Sequence, residues 1–310
     1  MKIVAALGGN ALIRRGQPMS VQVQRDNLVA AARALAPLAA DHDLVITHGN
    51  GPQVGWLALQ AAAWQDSRAG AGADATPLDV LGAESDGMVG YLVEQALACE
   101  LGGHPIATLL TQVRVDADDP AFSAPTKPVG PGYAHAEVQL LAARGWQFAP
   151  DGELWRRVVA SPQPRQIVEL AAIRHLLKAG VVVVCAGGGG IPVVERDGLL
   201  RGIDAVIDKD AASALLAREL HADILLLLTD VDGIQLGFGT PQAHRLAAAT
   251  PRSLRRLELP AGSMGAKALA AAGFVETTGR RAAIGRLDDV AALLAGTAGT
   301  QVTRDETDLG

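Results

Sequence analysis

Thr47-His48-Gly49-Asn50-Gly51-Pro52-Gln53-Val54-Gly55 is the stretch on which the reading of this chain turns. An apolar run, Asp43-Leu44-Val45-Ile46-Thr47, leads straight into it and has the composition of a buried strand. Gly49 and Gly51 then leave backbone N–H groups bare, and a helix is expected to begin at Pro52 or Gln53. A strand that ends in glycines at a helix N-terminus seats an anion. No side chain blocks the ligand, and the helix end offers unpaired donors and partial positive charge. Leu7-Gly8-Gly9-Asn10-Ala11 repeats the device directly after Lys2-Ile3-Val4-Ala5-Ala6. Two glycine loops at two strand ends point to one site that grips phosphate from both sides.

Outward from these loops, short apolar runs alternate with helical patterns. Strands are expected at 2–7, 44–47, 105–111, 181–185, 223–229 and 282–284, and helices at 21–38, 52–65, 85–101, 166–178, 210–220, 266–272 and 290–295. Such alternation predicts an α/β fold, a three-layer αβα sandwich around a mainly parallel central sheet. Residues 181–184 and 224–228 are apolar at every position, as central strands buried on both faces must be. Residues 113–164 break the rhythm. They hold seven of the sixteen prolines and two of the four tryptophans, with no helix-length periodicity before Ala136. The chain is therefore read as one domain, 1–310, with 113–164 inserted as a protruding lid subdomain. The polar end, 300–310, reads as a short last strand and a frayed tail.

At 310 residues and 49% apolar content the chain can bury a large core. A net charge of −6 without a Lys/Arg cluster argues against a nucleic-acid surface. No apolar run approaches the roughly 18 residues of a membrane span. The N-terminus reads as the first strand and not as a signal peptide. Cys99 and Cys185 share no metal or redox spacing and suit reduced thiols of a cytoplasmic protein.

The scarce residues are the informative ones. Of 27 Lys and Arg, only Lys2, Lys127, Lys178, Lys209 and Lys267 are lysine. A chain that otherwise uses arginine keeps lysine where a compact point charge is needed. Lys127, Lys209 and Lys267 lie in segments punctuated by Gly, Pro or Asp, and two of the three asparagines, Asn10 and Asn50, sit inside the glycine loops. A third loop, Gly187-Gly188-Gly189-Gly190, fits a close approach by nucleotide or by another loop, since four glycines are entropically costly. In Asp204-Ala205-Val206-Ile207-Asp208-Lys209-Asp210, Asp210 can cap a helix, orient lysines toward a phosphate, or do both. Gly262-Ser263-Met264-Gly265-Ala266-Lys267 again sets a lysine at a helix start. Thr229-Asp230-Val231-Asp232-Gly233 fits cation or sugar binding and an ordinary turn equally. His48 suits packing and hydrogen bonding better than base catalysis, and neither His104 nor His175 has a metal-ligand partner at useful spacing. A Walker loop, protein-kinase elements and a Gly-x-Ser-x-Gly elbow are all lacking, and Gly49–Gly55 is one residue too long for a dinucleotide fingerprint.

Taken together these residues resemble the carbamate kinases of the amino-acid kinase superfamily. The likeness runs from residue 2 to 302 and rests on 7–11, 46–55, 77–83, 125–131, 156–159, 187–193, 205–210, 228–233 and 262–267. The most specific parts are 47–55 and Thr126-Lys127-Pro128-Val129-Gly130-Pro131. The resemblance implies a homodimer, an eight-stranded sheet between helices, and reversible transfer of a phosphoryl group: ATP and carbamate to ADP and carbamoyl phosphate, with Mg2+ carried by the nucleotide. It implies that Gly8, Gly9, Asn10, Gly49, Asn50 and Gly51 hold the transferring group and carbamate. Lys209 and Lys267 would meet nucleotide phosphates, Asp210 would organise them, and Lys127 would reach in from the lid. Gly188, Gly189, Asp230 and Met264 would line the nucleotide. Three positions depart from the pattern: Asp86 stands in place of a neutral polar residue, and Ala160 and Ala266 in place of prolines.

The chemistry agrees with the residues. Phosphoryl transfer asks for in-line positioning and charge neutralisation, and carbamate, already an anion, needs no general base. Two other readings stay open at this stage: a related kinase with a carboxylate or phosphate acceptor such as acetylglutamate or uridylate, and a nucleotide-binding sensor with weak activity.

Overall fold

Every residue of strand β1 (Lys2–Leu7) after Lys2 is buried, and its side chains part to opposite faces. Val4 and Ala6 enter one hydrophobic cluster, and Ile3, Ala5 and Leu7 enter another. A strand with two buried faces requires a cover on each side, and the remainder of the chain supplies both. The computed structural model describes residues 1–304 apart from 15, 19, 51–52, 68–73, 241 and 260–262. After β1 come α1 (Val21–Asp41), β2 (Asp43–His48), α2 (Gln53–Asp66), α3 (Leu78–Glu100), β3 (Ile106–Leu109), β4 (Gln112–Val115), β5 (Lys127–Tyr133), α4 (His135–Ala142), β6 (Gln147–Asp151), β7 (Leu154–Val159) and β8 (Pro164–Ile167). Then follow α5 (Leu170–Lys178), β9 (Val182–Cys185), β10 (Ile191–Arg196), β11 (Leu199–Gly202), α6 (Lys209–Leu220), β12 (Ile224–Thr229), β13 (Gln235–Leu236), β14 (His244–Arg245), β15 (Ala248–Ala249), α7 (Pro251–Arg256), α8 (Ser263–Thr278), β16 (Arg281–Arg286), α9 (Val290–Ala295) and β17 (Thr300–Val302).

Eight strands form the central sheet in the order β15-β17-β16-β12-β1-β2-β9-β3. All neighbours are parallel except β16 and β17. Ile173 of α5, Leu216 of α6 and Phe274 of α8 pack on one face, and Leu28 of α1, Val89 of α3 and Leu293 of α9 on the other. This is a three-layer αβα sandwich. The register decides where function can sit. Leu7 lies opposite both His48 and Leu228, so β1, β2 and β12 end level and deliver their following loops to one edge. Ligands of open parallel sheets bind at such carboxyl edges.

Helix α3 starts at Leu78, seven residues before the expected 85. Its first turn is secured from far away in sequence: Asp204 Oδ1 accepts from the Leu78 N–H at 2.9 Å, a long-range cap that local pattern does not carry. Gly90 lets this helix close on β3, because a Cβ there would lie 2.5 Å from Thr108 Cγ2. The expected helix at 166–178 divides into β8 and α5, since Gln166 and Ile167 pair with β4. Strands β10 and β11, the short β13–β15 and helix α7 were not anticipated.

Residues 127–159 build a separate antiparallel sheet, β5-β7-β6, with α4 inserted between β5 and β6. Residues 112–115 and 164–167, at its flanks, instead join β10 and β11 in a four-stranded sheet. The three-stranded sheet has a small core of its own, in which Tyr133 and Phe148 meet edge to face with centroids 5.5 Å apart. It docks on the sandwich through a third cluster comprising Val54, Ala58, Leu78, Leu81, Val129, Val159 and Val206. At the centre of that contact, a Cβ on Gly55 would lie 2.0 Å from Gly130 Cα, while Gly130 itself holds a left-handed φ of +74°. Backbone touches backbone, which only two glycines allow.

Gly55→Ala is expected to push the three-stranded sheet off α2. Alanine would otherwise favour the helix by about 1 kcal/mol. The central sheet should therefore melt cooperatively as before, while trypsin cleaves within 127–159 at least several-fold faster. Equal cleavage rates in the two proteins would contradict the contact.

Candidate active site

The site is organised by the first turn of α6. Asp208 is its N-cap: Oδ1 accepts from the N–H groups of Asp210 at 2.9 Å and Ala211 at 3.2 Å. The capping role considered for Asp210 therefore belongs to Asp208, which has the extended backbone a cap requires (φ −71°, ψ 124°). Asp210, two residues on, turns inward and is buried. Its Oδ1 accepts from Lys209 Nζ at 2.5 Å and its Oδ2 from Lys267 Nζ at 3.0 Å. The other Asp208 oxygen accepts from Lys127 Nζ, which arrives from β5 of the three-stranded sheet. Lys209, Lys267 and Lys127 thus converge from α6, α8 and β5. Three ammonium groups against two carboxylates leave the cluster positive within a chain of net charge −6.

The titration of Asp210 follows from this geometry. Burial alone would raise its pKa, but Lys209 and Lys267, each adding charge and a hydrogen bond, outweigh it and hold the carboxyl at about 2. Burial pulls the Lys209 ammonium below its ordinary value, Asp210 opposes that shift, and Lys267 adds to it. Lys209 thus depends on the Asp210 carboxylate to remain charged in so dry a place.

The glycine loops meet this cluster at the sheet edge. Gly8 N donates to Leu228 O and Gly49 N to Leu7 O, both at 3.1 Å, so each loop continues the ladder of its neighbour by one residue. Thr47 at the end of β2 is tied to α6: Ser213 Oγ donates to Lys209 O at 2.7 Å and therefore accepts from Thr47 Oγ1 at 2.6 Å. The third loop closes in from the other side, with Gly188 so near Asn50 that a Cβ would stand 2.7 Å from its Nδ2. A cavity of about 1030 Å³ results, edged by Gly8, Gly9, Gly49, Asn50, Gly188, Lys127, Lys209, Asp210 and Lys267.

Other residues singled out in the sequence lie elsewhere. Asp230 lines a separate cavity of about 320 Å³, which Asn10 and Gly8 share, together with Arg14 and Arg286. Gly189 faces the loop before α6, its missing Cβ 2.4 Å from Ile207 O. Met264 packs against the main hydrophobic cluster. Gly51 and the loop into α2 fall outside the described residues.

Several contributors escaped the sequence reading. Asp208 was given no role of its own, although an Asp directly before the first helical residue is a legible cap signal. Ser213, which ties Thr47 to α6, carries no motif. Below the glycine loops, His48 and Asp86 face one another, each 1% exposed at the side chain, with Nε2 and Oδ1 3.5 Å apart.

Residues 1–286 match the family model described as the amino acid kinase family. Carbamate kinase of Rhizobium meliloti (strain 1021) is 51% identical, over 100% of this chain and 95% of its own length. That of Escherichia coli (strain K12) is 48% identical over 97% and 99%. Among solved structures, carbamate kinase from Giardia lamblia bound to AMP-PNP superposes with a TM-score of 0.88 at 37% identity, covering 98% of each chain.

Asp210→Ala should cost about 3–5 kcal/mol in chemical denaturation, the usual consequence of stranding buried ionic partners. The carboxyl titrates lower in the fold than the ordinary carboxylate value of 3.8. Its stabilisation is therefore complete above about pH 4 and lost as the pH falls through about 2, a span worth roughly 2 kcal/mol. A denaturation midpoint that Asp210→Ala leaves unmoved would refute the clamp.

Proposed function

Because the chain belongs to the amino acid kinase family and, within it, to the carbamate kinases, we propose that this cavity transfers a phosphoryl group between ATP and carbamate, reversibly giving ADP and carbamoyl phosphate. The observation that carries the reading is the Asp210 clamp. It holds Lys209 and Lys267 together at the edge of a cavity bounded by both glycine loops. A loose phosphoryl-transfer transition state spreads negative charge over the transferring group, and fixed donors aimed at that charge lower the barrier.

In this reading Gly8, Gly9, Gly49 and Asn50 seat carbamate and the transferring group with backbone N–H groups and the Asn50 amide. Lys209 and Lys267 neutralise the nucleotide phosphates, and Gly188 borders the nucleotide in the same cavity. Lys127 exchanges Asp208 for substrate when the lid formed within 113–164 comes down. Carbamate supplies its own anionic oxygen, so no side chain has to remove a proton. His48 is in keeping with that: burial first, and then Lys209, keep its ring neutral, with a pKa of about 4 despite its bond to Gly49.

Mg2+ enters with the nucleotide. Both oxygens of Asp210 and both of Asp208 are already engaged by lysines or backbone N–H groups, and Mg2+ readily takes phosphate oxygens and waters as ligands. It supplies charge neutralisation between the phosphates. The chain works as a homodimer. In support, β3 is an outer strand of the central sheet, and exposed Met88, Tyr91 and Leu110 lie beside it, a combination that seeks a partner. A cytoplasmic location suits two free cysteines; among the described residues, no helix is long and apolar enough to cross a membrane.

ATP formation from carbamoyl phosphate and MgADP tests the assignment. Lys209→Ala and Lys127→Ala should each lower kcat/KM by about 10²-fold or more, the scale of removing a fixed charge from a transition state. Circular dichroism should remain unchanged. Near-normal turnover in either variant would remove that lysine from the mechanism.

A further inference from the structure

One buried pair is unused by the chemistry above. His48 closes β2 and Asp86 lies in α3, directly beneath the loops that seat the anions. We propose that Asp86 is held as a neutral carboxyl group that donates its proton to His48 Nε2, and that it acts as a positioning residue whose ionisation weakens binding of the phosphoryl substrate. The inference rests on the phosphoryl-transfer reading of the site.

The hydrogen bonds dictate where the proton is. His48 Nδ1 lies 3.1 Å from Gly49 O. A carbonyl only accepts, so Nδ1 carries the hydrogen, and in a neutral ring Nε2 is then a bare lone pair. That lone pair faces Asp86 Oδ1 at 3.5 Å, and both buried atoms lack a hydrogen-bond partner. A carboxylate there would set two acceptors against each other in a sealed site, whereas a carboxyl satisfies both. The alternative, imidazolium with carboxylate, is opposed from both ends. Lys209 on α6 disfavours charge on His48. Glu169, fixed ahead of α5 by Gln112 N at 2.7 Å and Gln112 Nε2 at 3.0 Å, disfavours charge on Asp86. Cys185 on β9 completes the surroundings, and burial above all, with Glu169, pushes its thiol upward, so it stays neutral. Consistently, burial lifts Asp86 to about 7, against the backbone amides of Thr111 and Gly187.

Position makes the proton matter. A Cβ on Gly187 would stand 2.0 Å from Asp86 Oδ1 and 2.3 Å from His48 Cε1, so the third glycine loop rests on the pair. The next residue, Gly188, touches Asn50. Below about pH 7 this floor is neutral. Above it, a carboxylate replaces the carboxyl, repels the anions overhead and loses its bond to His48, whose own bond fixes the Gly49 peptide.

The test is the pH dependence of ATP formation from carbamoyl phosphate and MgADP for the unaltered protein, Asp86→Asn and Asp86→Gln, both of which are permanently neutral. KM for carbamoyl phosphate should rise about tenfold between pH 6 and 8.5 in the unaltered protein, as expected when a nearby group ionises within that range, and should stay level in the variants. Identical KM profiles in all three proteins would overturn the proposal. ¹⁵N-histidine spectra of the unaltered protein provide a second readout that needs no variant. A neutral His48 ring protonated at Nδ1 at pH 6 supports the assignment, and an imidazolium ring refutes it. If no protein makes ATP at any pH, the kinase reading fails, while the histidine spectrum still decides where the proton lies.

Discussion

Two ammonium groups can share a dry pocket only if a carboxylate stands between them, and this site is built around that constraint. Asp210 gives one oxygen to Lys209 and the other to Lys267, and most of the fold near the sheet edge serves to place those three groups. Asp208 starts α6 at the right residue. Ser213 and Thr47 fasten that helix to the end of β2. Ala212, Leu216, Ala271 and Phe274 lie in one hydrophobic cluster that joins α6 and α8, so the lysine of α8 is delivered by core packing and not by a loop. The ordering of the charges is paid for in hydrophobic contacts made elsewhere, as it must be, since burying ions costs several kcal/mol each before any pairing.

The same constraint explains how an acidic protein attracts two anionic substrates. Net charge acts at long range and is screened within about 10 Å at ordinary salt. Inside the cavity the local arrangement decides, and there the ammonium groups outnumber the carboxylates. Lys127 stands apart from the other two. Its pair with Asp208 is about a quarter exposed on each side, so water can compete for it. Lys209 and Lys267 are clamped to the buried Asp210, whereas Lys127 is held by a partly exposed Asp208.

Much of this was legible in the sequence because its signals are local. Strand–helix alternation, the two glycine loops and the scarcity of lysine gave the layered sheet and brought Lys127, Lys209, Asp210 and Lys267 to one cavity. What stayed hidden depends on contacts between distant residues. The early start of α3 needs Asp204, 126 residues away. Strand β8 looked helical because only its pairing with β4 makes Gln166 and Ile167 extended. Asp86 stood out as a departure from the expected residue, yet nothing in its neighbourhood of sequence revealed that it is sealed against His48 beneath a third glycine loop. The Thr47–Ser213 link, between two ordinary hydroxyls 166 residues apart, has no sequence signature at all.

The contact between Gly55 and Gly130 has a mechanical meaning. Where two side chains interlock, relative motion requires them to leave one rotamer well for another, and the joint acts as a latch with discrete settings. Two bare α-carbons have no rotamers to leave. The three-stranded sheet therefore rests on α2 as on a bearing, held by the apolar ring of Val54, Val129 and Val159 around it but meeting no torsional steps at the centre. A small tilt at such a fulcrum becomes a larger sweep at the rim, and Lys127, three residues along β5 from Gly130, rides on that lever arm.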